Sequence, residues 1–220
     1  VQCLYDYDIP LYLSHTITAI HGKDRVNGNY GAKVDDHMKP IPGTEFDIDC
    51  DTLLLSVGLI PENELSRGLG LAMIRHQLVV IVDRIVNEHP RIFAAGNVVH
   101  VHDLVDFVSE EAEIAGKYAA LKAQEQLPED VADVKVEAID EVRTCVPQHV
   151  RATAEGETIR LFMRVRKPMK KSASLSRAVT NAADESLPVA KPSEMIAVNV
   201  PAEKAKGHHA DWTVSVKEEA

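Results

Sequence analysis

Aromatic residues are scarce in this chain: Phe, Trp and Tyr together make up 5% of its 220 residues, with one Trp, at position 212. Core packing must therefore rest on Val, Leu, Ile and Ala. Cysteine is rarer still. Cys3, Cys50 and Cys145 stand far apart with no C-x-x-C pair, which argues against a disulfide framework or a cysteine-rich metal site and favours a reduced, cytoplasmic setting. No apolar run approaches the roughly 20 residues needed to cross a bilayer, so no membrane span is expected. The opening Val1-Gln2-Cys3-Leu4-Tyr5-Asp6 has neither the basic start nor the apolar stretch of a signal peptide, and the chain reads as beginning mid-domain. Positive charge is also in deficit. With 24 Lys and Arg against 34 Asp and Glu, the net charge is -10. A nucleic-acid partner is not expected, since phosphate binding needs a cationic footprint.

What is present is the composition of a globular protein, 45% hydrophobic and 26% charged. The length suffices for one large domain or two small ones. An apolar Ile9–Leu13 continuing through Ile17–Ile20 suggests a helix end and then a strand. His21-Gly22-Lys23-Asp24 is a turn, and Asn27-Gly28-Asn29 a hairpin turn. Cys50 to Gly58 is a continuous apolar run of the kind a buried parallel strand shows. Short strands are expected at Leu78–Val82 and Arg91–Asn97, followed by a helix from Leu104 or Ser109 to Leu127, stopped by Pro128. Glu110, Glu111 and Glu113 would sit in its first turns, where the helix dipole favours acids. Ala112, Ala115, Gly116, Ala119 and Ala123 share one face of that helix. Such a face suits close approach to a sheet or a flat ligand, or ordinary packing.

Beyond residue 130 the period changes to two. Ile159-Leu161-Met163-Val165 alternates with Arg160-Phe162-Arg164-Arg166, giving one apolar and one cationic face. The same alternation recurs at Ile196-Val198-Val200 and Trp212-Val214-Val216, while Ser172–Pro192 reads as a loop with at most a short helix. The cationic face, with Lys167, Lys170 and Lys171 beyond it, is either solvated or a dock for an acidic partner subunit or a phosphate.

Two motifs carry the functional reading. Ser56-Val57-Gly58-Leu59-Ile60-Pro61-Glu62-Asn63 ends an apolar run, and Val82-Asp83 precedes Pro90-Arg91-Ile92-Phe93-Ala94-Ala95-Gly96-Asn97-Val98. In this order they resemble the carboxy-terminal signature of the pyridine nucleotide–disulfide oxidoreductase superfamily of flavoproteins. Residues 9–21, 41–65 and 94–116 are most similar to its NAD(P)/FAD-dependent oxidoreductases of anaerobic bacteria, which are akin to small flavoprotein subunits of amine, opine and glycerol-phosphate oxidising systems.

The resemblance covers residues 1–127 and implies an α/β chain: a partial two-dinucleotide-binding-domain flavoprotein fold with a β-rich carboxy-terminal extension. Residues 1–62 would be the second half of an NAD(P)-binding domain, 63–127 the closing part of an FAD-binding domain, and 128–220 the extension. FAD and NAD(P) are the implied cofactors. Gly96 and Asn97 match the family's Gly-Asp pair, which meets the ribityl–pyrophosphate part of FAD. Val98 follows them, and Phe107, Val108 and Ser109 fall near the start of the helix whose dipole faces the flavin. Gly58 would lie near the nicotinamide nucleotide. The acidic balance is no obstacle, because a dinucleotide is held largely by backbone N–H groups and helix dipoles.

The departures are specific. Asn97 replaces the usual Asp, keeping an acceptor and losing a charge. No G-x-G-x-x-G occurs in the 220 residues, and the redox cysteine pair is absent. The implied function is hydride transfer between NAD(P)H and FAD, with electrons passed to a partner or small acceptor. A missing amino-terminal half or a partner flavoprotein subunit would supply the glycine loops. The alternative is a non-catalytic fragment or partner-binding module. His100-Val101-His102-Asp103 is either an H-x-H metal motif or a polar loop lining the flavin site. No further ligand stands at a supporting spacing, so no metal is expected; His208-His209 reads as a solvated loop.

Overall fold

The computed structural model describes residues 2–74, 79–80, 91–127, 133–151, 158–170, 173–177, 181–185, 189–201 and 211–216. The chain divides into two compact units, Val1–Gly58 and Leu59–Ala220. It mixes helices with sheets, as an α/β chain does.

The first unit holds helix α1 (Gln2–Asp6) and an antiparallel sheet of β1 (His15–His21), β2 (Gly28–Lys33) and β3 (Phe46–Ile48), with β2 in the centre. His21 pairs with Gly28, so the hairpin loop is 22–27. The hairpin turn expected at Asn27-Gly28-Asn29 thus falls earlier, because Gly28 and Asn29 are already on the ladder. Gly31 leaves room for the Phe46 ring, since a Cβ there would come within 2.8 Å of Cζ.

Cys50–Gly58 is not the strand its apolar run predicts. No strand is assigned to it, and Leu54 and Val57 are each 89% exposed. A run apolar on both faces becomes a strand only between neighbours that pair with it and cover it. Among the described residues none does.

The second unit begins with α2 (Glu64–Gly68) and a two-stranded antiparallel ladder of β4 (Met73–Ile74) and β5 (Val79–Val80). The remainder of the expected strand Leu78–Val82 lies outside the described residues. The strand expected over Arg91–Asn97 gives way to a 3-10 turn at Gly96–Val98, set by a positive φ at Gly96. Helix α3 (Val105–Ala123) follows. Its end differs from the expected one. Gln126 N–H bonds Leu121 O at 2.8 Å, Glu125 N–H bonds Lys122 O at 3.1 Å, and Glu125 takes φ +57°. This Schellman closure stops the helix before Pro128. The small-residue face of α3 is not packed closely: a Cβ on Gly116 would meet nothing within 4 Å.

The β-rich part contains β6 (Asp133–Ala138), β7 (Val142–Val146), β8 (His149–Arg151), β9 (Thr158–Val165), β10 (Met169–Lys170), β11 (Ala173–Arg177), β12 (Asn181–Glu185), β13 (Val189–Ala190), β14 (Ile196–Pro201) and β15 (Trp212–Ser215). One sheet runs β12-β11-β15-β6-β8, a second β14-β9-β7, and β10 pairs with β13. β15–β6 is the one parallel pair among the described strands.

Three of these strands occupy Ser172–Pro192, expected to be a loop. Ala-Ser-Leu-Ser-Arg in β11 has little intrinsic β preference, but it gains ladders on both sides, from β12 and β15, and pairing outweighs propensity. Val134, Val142, Val150, Ile159, Leu161, Val165, Val200, Trp212 and Val214, drawn from both sheets, form one core and are 0–1% exposed. The alternation expected in Ile159–Val165, Ile196–Val200 and Trp212–Val216 is what builds it.

Candidate functional site

β9 is covered on both faces. Its odd-numbered residues enter the core, while Arg160, Phe162 and Arg164 turn toward α3 and the loop before it. Phe162 lies 5.2 Å from Phe107 and 5.2 Å from His102 between ring centroids. The Arg160 guanidinium sits 5.0 Å over Phe107 and pairs with Glu110 at 2.5 Å. Arg164 pairs with Asp103 at 2.5 Å. The cationic face predicted to be solvated or a partner dock is therefore matched at these two positions by acids of the same chain. Lys167 pairs with Glu141 at 2.8 Å. Lys171 and the Lys170 side chain lie outside the described residues.

The 3-10 turn before α3 holds three of the predicted flavin residues, Gly96, Asn97 and Val98. Gly96 is buried with φ +76°, and its carbonyl accepts from the N–H groups of Val99 and His100 at 2.9 and 3.0 Å. A Cβ on Gly96 would stand 3.2 Å from Val108 Cγ1. The Gly96 N–H donates to Glu111 Oε2 at 2.6 Å, and the same oxygen lies 3.1 Å from His102 Nε2.

Asn97 is exposed and accepts weakly, at 3.4 Å, from the His102 N–H. Val98 offers its carbonyl to Asn63 Nδ2 at 2.9 Å, and Ser66 Oγ donates to Asn63 Oδ1 at 3.0 Å. Asn63 is fully buried and joins the end of the first motif to the second. Gly96, Asn97, Val98, Phe107 and Val108 are thus brought together at one end of α3, with Ser109 exposed one residue further. Gly58 ends the other unit, exposed, with φ +94° and open space where a Cβ would be.

Glu111 and His102 are the residues that sequence reasoning passed over as a pair. Nine positions apart, on a loop and a helix, they share no local period. The H-x-H spacing points to His102 as a metal ligand or as part of a polar loop lining the flavin site, and neither reading pairs it with Glu111.

The rings of His100 and His102 are 5.4 Å apart, and the Nδ1 atoms of both are buried with no partner among the described residues. No group of three or more His, Cys, Asp or Glu suited to a metal occurs among the described residues, and His208-His209 lies outside them. Burial, followed by the charges of His102 and Arg164, presses His100 from 6.5 down to about 4, against the pull of Asp103. Burial pushes the Cys145 thiol up to about 12, so it supplies no thiolate at neutral pH.

The fit to FAD can be tested at this end of α3. Leu104 precedes the helix in extended conformation and provides no side-chain cap, and Leu104 and Val105 are 53% and 73% exposed. The first-turn N–H groups have no partner within the helix, and the dipole there favours negative charge. With the exposed Asn97 amide nearby, they suit the oxygens of a ribityl chain and the electron-rich edge of a flavin. The Gly96 N–H does not, because Glu111 already takes it. No helix among the described residues is long and apolar enough to cross a membrane.

No curated protein matches the chain. A family model described as pyridine nucleotide-disulphide oxidoreductase matches residues 2–113, just over half of the 220, and takes in both motifs, the Gly96 turn and the first half of α3. The chain belongs to the pyridine nucleotide-disulphide oxidoreductase family.

Proposed function

We propose that the protein is the carboxy-terminal portion of an NAD(P)/FAD-dependent oxidoreductase, of the kind found in anaerobic bacteria. Its reaction is hydride transfer between NAD(P)H and FAD, with electrons passed to a partner or small acceptor. FAD, when bound, supplies the two-electron chemistry. The chain's own residues position and polarise. Asn97 offers its amide to ribityl hydroxyls, and the uncapped start of α3, at Leu104–Val108, presents N–H groups and the positive end of a dipole. Val98 and Ser109 flank these contacts, Phe107 is held by Phe162 and Arg160, and Gly58 gives the nicotinamide side a surface without a side chain.

In this reading 1–62 completes an NAD(P)-binding domain, 63–127 closes an FAD-binding domain, and 128–220 braces the second of these. The protein is cytoplasmic. The glycine-rich loops come from a segment upstream or from a partner flavoprotein subunit.

The observation that carries the reading is an exposed Asn97 and an uncapped α3 inside the region matched by the family model. The test is to purify the chain alone and together with the product of the reading frame preceding it. A flavin spectrum bleached anaerobically by NADH or NADPH is expected in the joint preparation. If both preparations are colourless and neither takes up added FAD, the reading fails. The second reading, a non-catalytic partner-binding fragment, is favoured by the absence of G-x-G-x-x-G and by the internal satisfaction of the Gly96 N–H. It would be supported by a stable, colourless complex.

A further inference from the structure

Three acids stand on or beside the loop that leads into α3, Asp103, Glu110 and Glu111, and two are paired with arginines. Glu110 is paired with Arg160, and Asp103 with Arg164. Among the described residues Glu111 has no Lys or Arg partner. Its carboxylate turns inward, 13% exposed, and one oxygen meets both the Gly96 N–H at 2.6 Å and His102 Nε2 at 3.1 Å.

The His102 side chain is fully buried, with Phe162 edge-on at 5.2 Å, Phe107 at 6.4 Å and His100 at 5.4 Å. Among the described residues Nε2 is the one ring nitrogen with a polar partner, and since a carboxylate accepts, Nε2–H points at it. The ring, held by its aromatic neighbours, fixes where that carboxylate can lie.

Gly96 needs such a hold. A glycine has the widest backbone freedom of any residue, and at φ +76° it occupies a region that it leaves at little cost. An ionised carboxylate on its N–H makes a short charge-assisted bond, stronger than a neutral one and poorly screened when buried. Asn97 is the next residue, so the direction of its exposed amide follows from the torsions at Gly96.

From this we infer that Glu111 and His102 are positioning residues: a clasp on the Gly96 N–H that fixes the turn presenting Asn97. The inference rests on the proposed flavin site at Asn97 and the start of α3. The clasp itself is a property of the chain alone.

The test uses the full chain labelled with 15N-glycine, the Gly96 amide being the peak missing from Gly96→Ala. A carboxylate-bonded Gly96 amide is expected well downfield and slow to exchange. Glu111→Ala should speed its exchange roughly ten- to a hundredfold. It should also weaken FAD binding, in the preparation that takes up FAD, by about tenfold. Glu111→Gln retains an acceptor, so slow exchange should persist while the peak moves upfield. Glu110→Ala, which touches Arg160 and not Gly96, should leave the peak in place.

Wild-type exchange at Gly96 in Glu111→Ala overturns the clasp. A loosened Gly96 with unchanged FAD affinity overturns its role toward the flavin and leaves the oxidoreductase reading standing. A wild-type chain that takes up no FAD under either condition sinks that reading and the clasp's role toward the flavin, and leaves the clasp itself to be judged by Gly96 exchange. If Glu111→Ala does not fold, Glu111→Gln decides: an unmoved Gly96 peak is the overturning result.

Discussion

Arg164 on β9 is bonded to Asp103 at 2.5 Å and to the Val101 carbonyl at 3.0 Å, while the other Asp103 oxygen accepts from the Met195 N–H at 2.7 Å. One ion pair thereby joins the loop before α3 to two separate parts of the β-rich region. Burial alone would raise the Asp103 carboxyl. The Arg164 hydrogen bond, the Met195 N–H and the charges of Arg164 and His100 outweigh it and hold the group below its ordinary value.

Arg164→Met should therefore destabilise the second unit by about 1–3 kcal/mol at neutral pH, as loss of a partly buried charge-assisted bond does. The lowered folded-state pKa sets the sign of the pH dependence. The contribution is full above about pH 4, the unfolded carboxyl's value, and is lost as pH falls through the lowered one. Urea midpoints of wild type and variant should converge below about pH 4; a constant gap from pH 7 to pH 3 would show that Asp103 is not the partner that matters.

His100 gives a second experiment of the same sign, stability falling with pH, in a higher window. The residue is 7% exposed, and burial, with help from His102 and Arg164, lowers its pKa to about 4. Between pH 6.5 and about 4 the unfolded chain takes up a proton that the folded chain refuses. Stability should fall across that interval, by roughly 3 kcal/mol at most from this one group. His100→Phe keeps a buried ring and removes the titration, so its profile should be flatter than wild type there. Parallel profiles would refute the assignment.

What could be read from the sequence follows from how local each signal is. The two-residue alternation of Ile159–Val165 and Ile196–Val200 needs no distant information, because each strand states its own buried face. Helix α3 was legible in its body and not at its end, since Glu125 closes a Schellman motif from a conformation that favours glycine. The strands of Ser172–Pro192 were hidden because their ladders, not their side chains, make them strands. Cys50–Gly58 misled in the other direction: the residues are those of a central strand, and the neighbours are missing among the described residues. At the candidate site, Gly96 and Asn97 were found from a motif. Asn63 bonding the Val98 carbonyl and Glu111 bonding the Gly96 N–H span 35 and 15 positions, and only the fold brings them together.

Trp212 tests the β-rich core. It is 0% exposed, and its indole N–H is buried with no hydrogen-bond partner among the described residues. Trp212→Ala should cost about 3–5 kcal/mol through the cavity it opens. Trp212→Phe removes less volume and also deletes the unmatched donor, whose burial opposes folding by about 1–3 kcal/mol. It should therefore cost less than half as much. Circular dichroism in urea measures both, since the one Trp is gone in each. Equal losses would mean that the indole N–H has found an acceptor.

Gly96 separates backbone strain from contact. An L-residue at its φ of +76° costs roughly 1–2 kcal/mol, and a Cβ there would also crowd Val108 Cγ1 at 3.2 Å. Gly96→Ala should lower stability by at least that strain. Adding Val108→Ala removes the crowding and leaves the torsion, so the double variant should not recover the loss. Gly96→Asn, whose side chain tolerates the left-handed region, should recover more of it than the double variant does. Full recovery in Gly96→Ala/Val108→Ala would show that this glycine is required for space against α3 rather than for its torsion.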